Sequence, residues 1–462
     1  MEYYKRTWIL CLMIVAALMG LHFLPRMEIF GMELRRVDLL SDLFPDTPDV
    51  SEKELAEAMK QQRPHPAHRK TNDCPKGMVC IEDYATDEKR SMDVFYRRLM
   101  ELNTRKKPVR IAYFGDSFIE GDIFTADLRD LLQSRFGGAG VGFVDMASQT
   151  AGFRQTVRAY SQNVESHSVM DSVHKNAFLG INCRYFFPLG GQVSLTLKGT
   201  GYGKNTQKAQ KSQLFLKTEV PLQVTAEVND GQQQTFDLKG ADRIQCLTTT
   251  GAISQVKWSF YADSLARRRV VLYGATMDNE QGVVVDNFSL RGSGGGVLLS
   301  IPDENLKQFF DYRPYNLIVL HYGLNVVGPG SGKKAADNYG RILDRMIRKF
   351  QALQPGTPIL VVSVSDRNSR DKDGKITTIG GIRYLVNEQQ QAAVRNGVAF
   401  WNLFEAMGGT ASIKRMAEQK PALANKDYTH LNFRGGKVLA EKLYEALVNA
   451  VKNYTKENQY ED

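Results

Sequence analysis

Three side chains in this sequence have the types and spacing that nucleophilic catalysis needs. Ser117 follows a glycine and an aspartate directly after a short apolar run, and Asp427 stands three residues before His430 near the C-terminus. A serine hydroxyl attacks a carbonyl carbon once a base takes its proton, and a carboxylate usually orients that base. We therefore predict Ser117 as nucleophile, His430 as base and Asp427 as the group that orients it. Taken alone, Gly-Asp-Ser is more often a turn or N-cap serine, and Asp-x-x-His is also typical of a helix-capping aspartate with a surface histidine.

Ester chemistry also needs donors for the negative charge that develops on the carbonyl oxygen. Three residues that follow predicted strands are the expected donors. They are Ser117 and Gly292, through their backbone N–H groups, and Asn325, through its side chain. Glycine-rich turns also cradle phosphates, but the sequence has no P-loop or dinucleotide-binding spacing. His321 is a second candidate base, although a histidine ending a strand is more often packed. Asp286 and Asp366 lie near strand ends, where turn and cap roles are expected.

The surrounding pattern predicts an α/β domain that is interrupted by an all-β segment. Apolar runs that favour buried strands alternate with amphipathic helices, which indicates a parallel sheet covered on both faces. The predicted strands are residues 109–114, 283–288, 316–320, 358–364 and 398–401, and the predicted helices are residues 337–353, 382–395 and 434–451. Between about residues 150 and 272, apolar residues instead recur with period two, which is typical of a β-sandwich.

The N-terminus predicts export and a membrane anchor. Lys5 and Arg6 precede residues 8–24, a stretch without Asp, Glu, Lys or Arg. As a helix this stretch would span roughly 25 Å, near the lower limit for a bilayer. The positive flank predicts that the short N-terminus stays in the cytoplasm and that the remainder is extracytoplasmic. A cleaved signal peptide is the rival interpretation, although no small-x-small site follows the run.

The bulk properties exclude some function classes. The formal charge of +9 is spread along 462 residues and forms no basic arm, so we expect no nucleic-acid partner. Outside the predicted anchor, Cys74 and Cys80 are close enough to close a small loop, although free thiols remain an alternative. The cysteines lack the second ligand pair of a zinc site. His65 and His68 lie in a proline-rich stretch, where solvated histidines are the rule.

In combination, these motifs resemble the SGNH (GDSL-like) hydrolases, a family named for its Ser, Gly, Asn and His blocks. The resemblance covers roughly residues 108–150 and 283–450, and residues 136–143 and 400–431 are similar to the peptidoglycan O-acetylesterase branch. It implies a flavodoxin-like, three-layer parallel sheet with an inserted carbohydrate-binding-module-like β-sandwich, and neither cofactor nor metal. Phe118 and Val326 depart from residues common in related esterases, which puts the substrate contacts in doubt.

The resulting domain prediction has six parts. They are an anchor at residues 1–26, a partly helical stalk at 27–107, the first part of the hydrolase domain at 108–150, the sandwich at 151–275, the second part at 276–453 and a polar tail at 454–462. The implied function is removal of O-acetyl groups from peptidoglycan or another acetylated glycan, of the cell envelope or elsewhere, by an extracytoplasmic protein held at the inner membrane. The alternatives are an O-acetyltransferase that works beside a membrane acyltransferase, and a glycan-binding protein without catalysis.

Overall fold

The computed structural model describes residues 73–86, 91–148, 150–370 and 374–458, together with positions 6–8, 13, 28, 29, 32 and 33. The chain divides into two units, Met1–Arg63 and Pro64–Asp462. In the first unit, Glu28–Ile29 pairs with Met32–Glu33 as a short antiparallel ladder. Apart from those few positions, the predicted anchor and residues 27–72 of the predicted stalk lie outside the described residues. None of the described helices is long and apolar enough to span a bilayer.

The second unit contains a six-stranded central sheet. Its strands lie in the order Val283–Ser289, Val109–Gly115, Leu317–His321, Ile359–Val362, Ala399–Trp401 and Glu82–Asp83. The first five run parallel, and the short Glu82–Asp83 strand is antiparallel to its neighbour. All residues of Val109–Gly115 and Leu317–His321 are buried, as expected for a parallel sheet that is covered on both faces. The predicted parallel sheet is confirmed.

Helices cover both faces of this sheet. Neighbouring residues of a strand point to opposite faces. Tyr113 contacts the ring of Phe124, whereas Phe114 contacts that of Phe350, so different helices cover the two faces. The α-helices among the described residues of the second unit are Met92–Met100, Leu102–Arg105, Thr125–Phe136, Asp303–Tyr312, Lys333–Leu353, Gly381–Asn396, Leu403–Ala406, Ser412–Glu418 and Phe433–Asn458. Short 3-10 turns occur at Glu120–Asp122, Asn176–Phe178, Ala266–Arg268 and Gly296–Ser300.

Two antiparallel sheets form a β-sandwich between the two parts of the α/β domain. One sheet contains Gln232–Leu238, Leu222–Val228, Gln255–Ala262, Gly191–Gly199 and Val157–Gln162. The other contains Ala241–Ile253, Ala209–Thr218, Val270–Asp278, Arg184–Pro188, Val164–Ser168 and Gly140–Asp145. The sandwich has a hydrophobic core of its own, in which Trp258 is almost completely buried. A further short hairpin pairs Asn368–Arg370 with Ile376–Thr378.

The sandwich begins earlier than the sequence analysis placed it. Gly140–Asp145 was expected in the first part of the hydrolase domain, but it pairs with Val270–Asp278. The physical reason is that Val141 and Val144 bury their side chains in the sandwich core. Gly142 has φ +72°, and a Cβ there would lie 2.7 Å from the carbonyl oxygen of Val285. The strand therefore crosses close to the central sheet while belonging to the sandwich.

The assignment of residues 73–107 to a stalk is wrong. Glu82–Asp83 extends the central sheet, and Met92–Met100 buries Phe95 and Leu99 in the core of the α/β domain. The Trp401 indole donates a hydrogen bond to the carbonyl oxygen of Val79 (3.0 Å). This segment is polar overall, but its apolar residues recur at helical spacing and cover the sheet edge. A disulfide joins Cys74 to Cys80, whereas Cys183 and Cys246 are free.

The prediction of turn or cap roles holds for Asp366 but not for Asp286. Asp366 accepts a hydrogen bond from the Ile413 N–H (3.1 Å) in the first turn of Ser412–Glu418, which is a cap-like role. Asp286 instead lies within the Val283–Ser289 strand and is completely buried beside Arg313, so the prediction of a turn or cap was wrong there.

Candidate active site

Ser117 lies in the tight turn that follows the central strand Val109–Gly115. A Cβ at Gly115 would lie 2.9 Å from the Ile119 side chain and 3.1 Å from the His321 carbonyl oxygen, so the turn needs glycine at that position. The N–H of Ile119 closes the turn on the carbonyl oxygen of Asp116 (3.3 Å). The Ser117 side chain therefore stands at the carboxyl edge of the sheet, where open α/β sheets bind ligands.

The segment before the last helix brings His430 to Ser117, although 313 residues separate them in the sequence. The His430 Nε2 lies 3.1 Å from the Ser117 Oγ, and its Nδ1 lies 2.7 Å from the Asp427 Oδ2. The other carboxylate oxygen of Asp427 accepts hydrogen bonds from the backbone N–H groups of Thr429 and His430, both 3.0 Å. The structure thus brings the three predicted catalytic side chains into one hydrogen-bonded chain.

Hydrogen bonds keep the Asp427 carboxylate charged. Partial burial acts to raise the pKa of Asp427, but the N–H groups of His430 and Thr429 and the His430 ring outweigh it and lower that pKa below its ordinary value. An ionised carboxylate beside Nδ1 favours the tautomer in which Nδ1 carries the proton and Nε2 accepts one. The Nε2 that faces Ser117 is therefore suited to take the hydroxyl proton.

The predicted oxyanion donors lie beside this chain of side chains. The Asn325 Nδ2 donates to the Asp116 Oδ2 (3.2 Å) and to the Ser293 carbonyl oxygen (3.1 Å). Asn325 is thereby held next to the residue that precedes Ser117. Gly292, which precedes Ser293, has φ +76° in the turn after the Val283–Ser289 strand. Both amide hydrogens of Asn325 are engaged, so an oxyanion has to replace one of these acceptors.

Asp116 was not among the predicted site residues, although it belongs to the Gly-Asp-Ser motif. Its carboxyl group is buried, and burial raises the pKa of Asp116 to about 7, while the Phe118 N–H and the charge of His430 oppose that rise. The Oδ1 accepts from the Phe118 N–H (3.0 Å), and Oδ2 accepts from Asn325. Asp116 therefore links the serine turn to the asparagine. A sequence cannot show this burial, which depends on the packing of distant segments.

The raised pKa predicts how pH acts on stability. Below the ordinary value of 3.8 Asp116 is neutral in both the folded and the unfolded state, and its carboxylate becomes costly to bury as pH rises toward 7. Wild type should therefore lose stability relative to Asp116→Asn between about pH 4 and 7, by a few kcal/mol in total, and the difference should stay constant above pH 7. Urea unfolding of wild type and Asp116→Asn at several pH values in this range measures the difference in stability. A difference that is independent of pH would contradict the prediction.

His321 is packed in the core, as the sequence analysis expected. Its Nδ1 lies 3.1 Å from the Tyr113 hydroxyl, and the rings of Phe118 and Phe124 contact it. Burial lowers the pKa of His321 to about 3. The ring stays neutral at physiological pH, and its contacts are structural.

A buried charge cluster supports the turn that follows Ser117. Asp122 is completely buried and bound by Arg129 (3.0 Å) and Arg154 (2.8 Å). Burial opposes ionisation, but the two guanidinium groups hold the pKa of Asp122 well below its usual range. Thr156 and Asn287 donate to the same carboxylate. Arg154 and Thr156 lie on the loop between the sandwich strands Gly140–Asp145 and Val157–Gln162, so the cluster ties the sandwich to the serine turn. The sequence analysis missed it.

Within the described part of the chain, no group of three or more His, Cys, Asp or Glu residues is placed to hold a metal ion. His65 and His68 lie outside it. The groups around Ser117 are those of acyl transfer: a hydroxyl, an imidazole, a carboxylate and amide donors.

Ser117, His430 and Asp427 thus stand in hydrogen-bond contact at the carboxyl edge of a helix-covered parallel sheet. The chain shares its fold with a peptidoglycan O-acetylesterase (TM-score 0.66, 20% identity), over 81% of this chain and 99% of that chain.

Two weaker similarities carry no argument on their own. One is to a family two carbohydrate esterase from Clostridium thermocellum (TM-score 0.24, 12% identity, 63% of this chain and 99% of that chain). The other is to an acetyl xylan esterase (TM-score 0.26, 17% identity, 36% of this chain and 81% of that chain). No protein-family model and no curated protein sequence matches the chain.

Proposed function

We propose that the protein is a serine esterase that removes O-acetyl groups from a glycan. The observation that carries the proposal is the continuous contact from the Ser117 Oγ to the His430 Nε2 (3.1 Å) and from the His430 Nδ1 to Asp427 (2.7 Å). Nucleophile, base and orienting carboxylate are all within the reach that proton transfer requires.

The reaction follows from these contacts. The Ser117 Oγ attacks the acetyl carbonyl carbon while its proton moves to the His430 Nε2, and Asp427 stabilises the imidazolium. His430 then returns the proton to the departing sugar oxygen, the carbon–oxygen bond to the sugar breaks, and an acetyl group stays on Ser117. A water molecule gives a proton to His430 and attacks this ester. Acetate leaves, and the proton returns to Ser117.

The oxyanion forms beside Asn325 in this proposal. The backbone N–H groups of Ser117 and Gly292 and the Asn325 amide are its donors. Because the amide already donates to Asp116 and to the Ser293 carbonyl oxygen, it exchanges one of these acceptors for the oxyanion. The exchange is favourable in the transition state, since the full charge of an oxyanion is a stronger acceptor than a neutral carbonyl.

Asn325→Ala removes one oxyanion donor and should lower kcat by about 10²–10³-fold, with little change in KM. The reason is that the donor acts mainly on the charge of the transition state. Steady-state kinetics on a chromogenic acetyl ester measure the effect. Asn316→Ala is a suitable control, because Asn316 lies before the Leu317–His321 strand, at the opposite end from Asn325. An unchanged kcat in Asn325→Ala would exclude the amide from the oxyanion site.

Several observations support the proposed substrate class. The shared fold with a peptidoglycan O-acetylesterase includes most of this chain. The side chains of His430 and Asp427 are 34% and 47% exposed, so the site opens at the surface, where a polymer can reach it. A disulfide such as Cys74–Cys80 persists in oxidising compartments outside the cytoplasm. Together with the predicted anchor, this favours an acetylated glycan of the cell envelope as substrate.

An O-acetyltransferase is the second candidate, and the predicted anchor with its proposed membrane acyltransferase partner favours it. The same acetyl-serine intermediate would pass its acetyl group to a glycan hydroxyl in place of water. The openness of the site to solvent favours water as the acceptor and hence the esterase.

Incubating the full chain with O-acetylated cell-wall glycan, and measuring both free acetate and glycan-bound acetate, separates the candidates. The esterase releases acetate at the rate at which the glycan loses it. Transfer to an added glycan acceptor without free acetate would support the transferase. If the wild-type chain neither releases free acetate nor transfers acetate to the acceptor, both enzymes are excluded and a binding protein without catalysis remains.

A further inference from the structure

A basic pocket lies at the amino end of the central strands. It is a cavity of about 220 Å³, and four cationic residues are among those that line it, namely Arg98, Arg105, Lys107 and Arg110. A cavity holds one water molecule in about 10–15 Å³ on this measure, so the basic pocket has room for a polyatomic ion. Asn316 and two prolines complete its wall.

Arg110 is the residue that sets this pocket apart from a solvated basic surface. It is only 7% exposed, and its buried Nε has no hydrogen-bond partner in the described part of the chain. Burial lowers the pKa of Arg110 from its ordinary value, and the nearby charge of Arg313 lowers it further. A buried, charged donor without an acceptor is costly unless a ligand supplies one.

Nearby carboxylates do not meet this need. Asp278 and Asp286 favour the charge of Arg110 at a distance, but both form ion pairs with Arg313, each at 2.5 Å. Glu101 accepts from two of the lining residues, Arg98 (3.3 Å) and Arg105 (3.0 Å). The four cationic lining residues and this one carboxylate together carry a net charge of +3.

We propose that this basic pocket binds a phosphate group, either inorganic phosphate or a phosphomonoester. An excess of positive charge from several directions suits a dianion better than a carboxylate, because one carboxylate is matched by a single guanidinium fork. The Asn316 Oδ1 accepts from the Arg110 N–H (3.0 Å), which leaves its amide hydrogens available to a ligand. Phosphate oxygens accept from guanidinium, ammonium and amide donors alike.

The basic pocket is separate from the candidate active site. Val109 and Asn316 lie at the amino ends of strands whose carboxyl ends carry Ser117 and lead to Asn325. Seven residues of extended strand put roughly 20 Å between the two edges of the sheet. Phosphate binding is therefore independent of the proposed esterase activity, and Ser117→Ala should bind phosphate as wild type does.

Isothermal titration of the full chain with inorganic phosphate tests the proposal, at an ionic strength kept constant with sodium chloride. We expect saturable binding with one site per chain. Lys107→Gln should weaken the Kd about tenfold, because Lys107 is exposed and its loss removes one charge-assisted contact. Lys239→Gln is the matched control, since Lys239 is an exposed lysine in a turn of the sandwich. Glycerol 3-phosphate in a second titration distinguishes a phosphomonoester, which would bind more tightly, from free phosphate.

Binding that never saturates, or that is equal in Lys107→Gln and Lys239→Gln, would overturn the proposal. Arg110→Gln gives a second test. If Arg110 serves only as a counter-charge to the buried aspartates, this variant unfolds at a lower temperature with the wild-type Kd for phosphate. If it binds the ligand, the Kd rises by more than in Lys107→Gln.

Discussion

Ser117→Ala is expected to reduce acetate release by about 10⁴-fold or more in kcat. The substitution removes the Ser117 Oγ, which lies 3.1 Å from the His430 Nε2 and forms the acetyl intermediate in the proposed mechanism. Binding of the glycan should survive, because the oxyanion donors and the surface around the site remain. The measurement pairs kcat on a chromogenic acetyl ester with retention of the variant on O-acetylated glycan.

Ser365→Ala is the matched control for this prediction. Ser365 is 1% exposed, and its Oγ has no hydrogen-bond partner among the described residues, so its loss removes a buried serine hydroxyl that is no part of the Ser117–His430–Asp427 contacts. Its kcat should stay at the wild-type value. Wild-type activity in Ser117→Ala would show that another residue carries the reaction and would refute the mechanism proposed above.

Periodicity predicted most of the α/β domain because its elements are long and uniformly apolar or strongly amphipathic. The predicted helix at residues 337–353 is Lys333–Leu353, and the predicted helix at 382–395 is Gly381–Asn396. Residues 73–107 were wrongly predicted as a stalk, because this segment packs on the domain through only a few apolar residues of Met92–Met100. Gly140–Asp145 was misjudged because strand partners are chosen by tertiary packing, and period-two patterns do not show which sheet a strand will join.

At the candidate site, the order of the motifs predicted the residues, but local sequence did not show their contacts. Ser117 and His430 are 313 positions apart in the sequence, and they come into contact through the folding of the whole domain. The same limit applies to Asp116 and Asp122, whose burial and partners come from segments far away in the chain. The Arg154 that binds Asp122 lies in a turn-rich stretch without any periodic signal.

Asp286→Asn is expected to lower the free energy of unfolding by about 3–5 kcal/mol. Asp286 is completely buried, and Arg313 (2.5 Å), Tyr315 (2.7 Å) and the Phe143 N–H (2.8 Å) donate to it. Arg313 also pairs with Asp278 of the sandwich, so the cluster joins the sandwich to the central sheet. Neutralising Asp286 leaves Arg313 with one of its two buried carboxylate partners, and replaces an acceptor by a group that also donates.

The matched control for Asp286→Asn is Asp303→Asn, which breaks the pair between Asp303 and Lys349. Asp303 is 63% exposed, so water screens its side of the pair, which should contribute less than about 1 kcal/mol. Lys349 keeps the Leu299 and Ile301 carbonyl oxygens as acceptors in the variant.

The stability that Asp286 contributes should also depend on pH. Burial opposes ionisation of Asp286, but Arg313 outweighs it and lowers the pKa of Asp286 below the ordinary 3.8. The stability it contributes is therefore present above about pH 4 and is lost as the carboxylate protonates at lower pH. In urea unfolding, the difference between wild type and Asp286→Asn should stay constant from pH 7 to 5 and shrink below pH 4. An equal loss in Asp286→Asn and Asp303→Asn would mean that the buried cluster does not join the two parts of the fold.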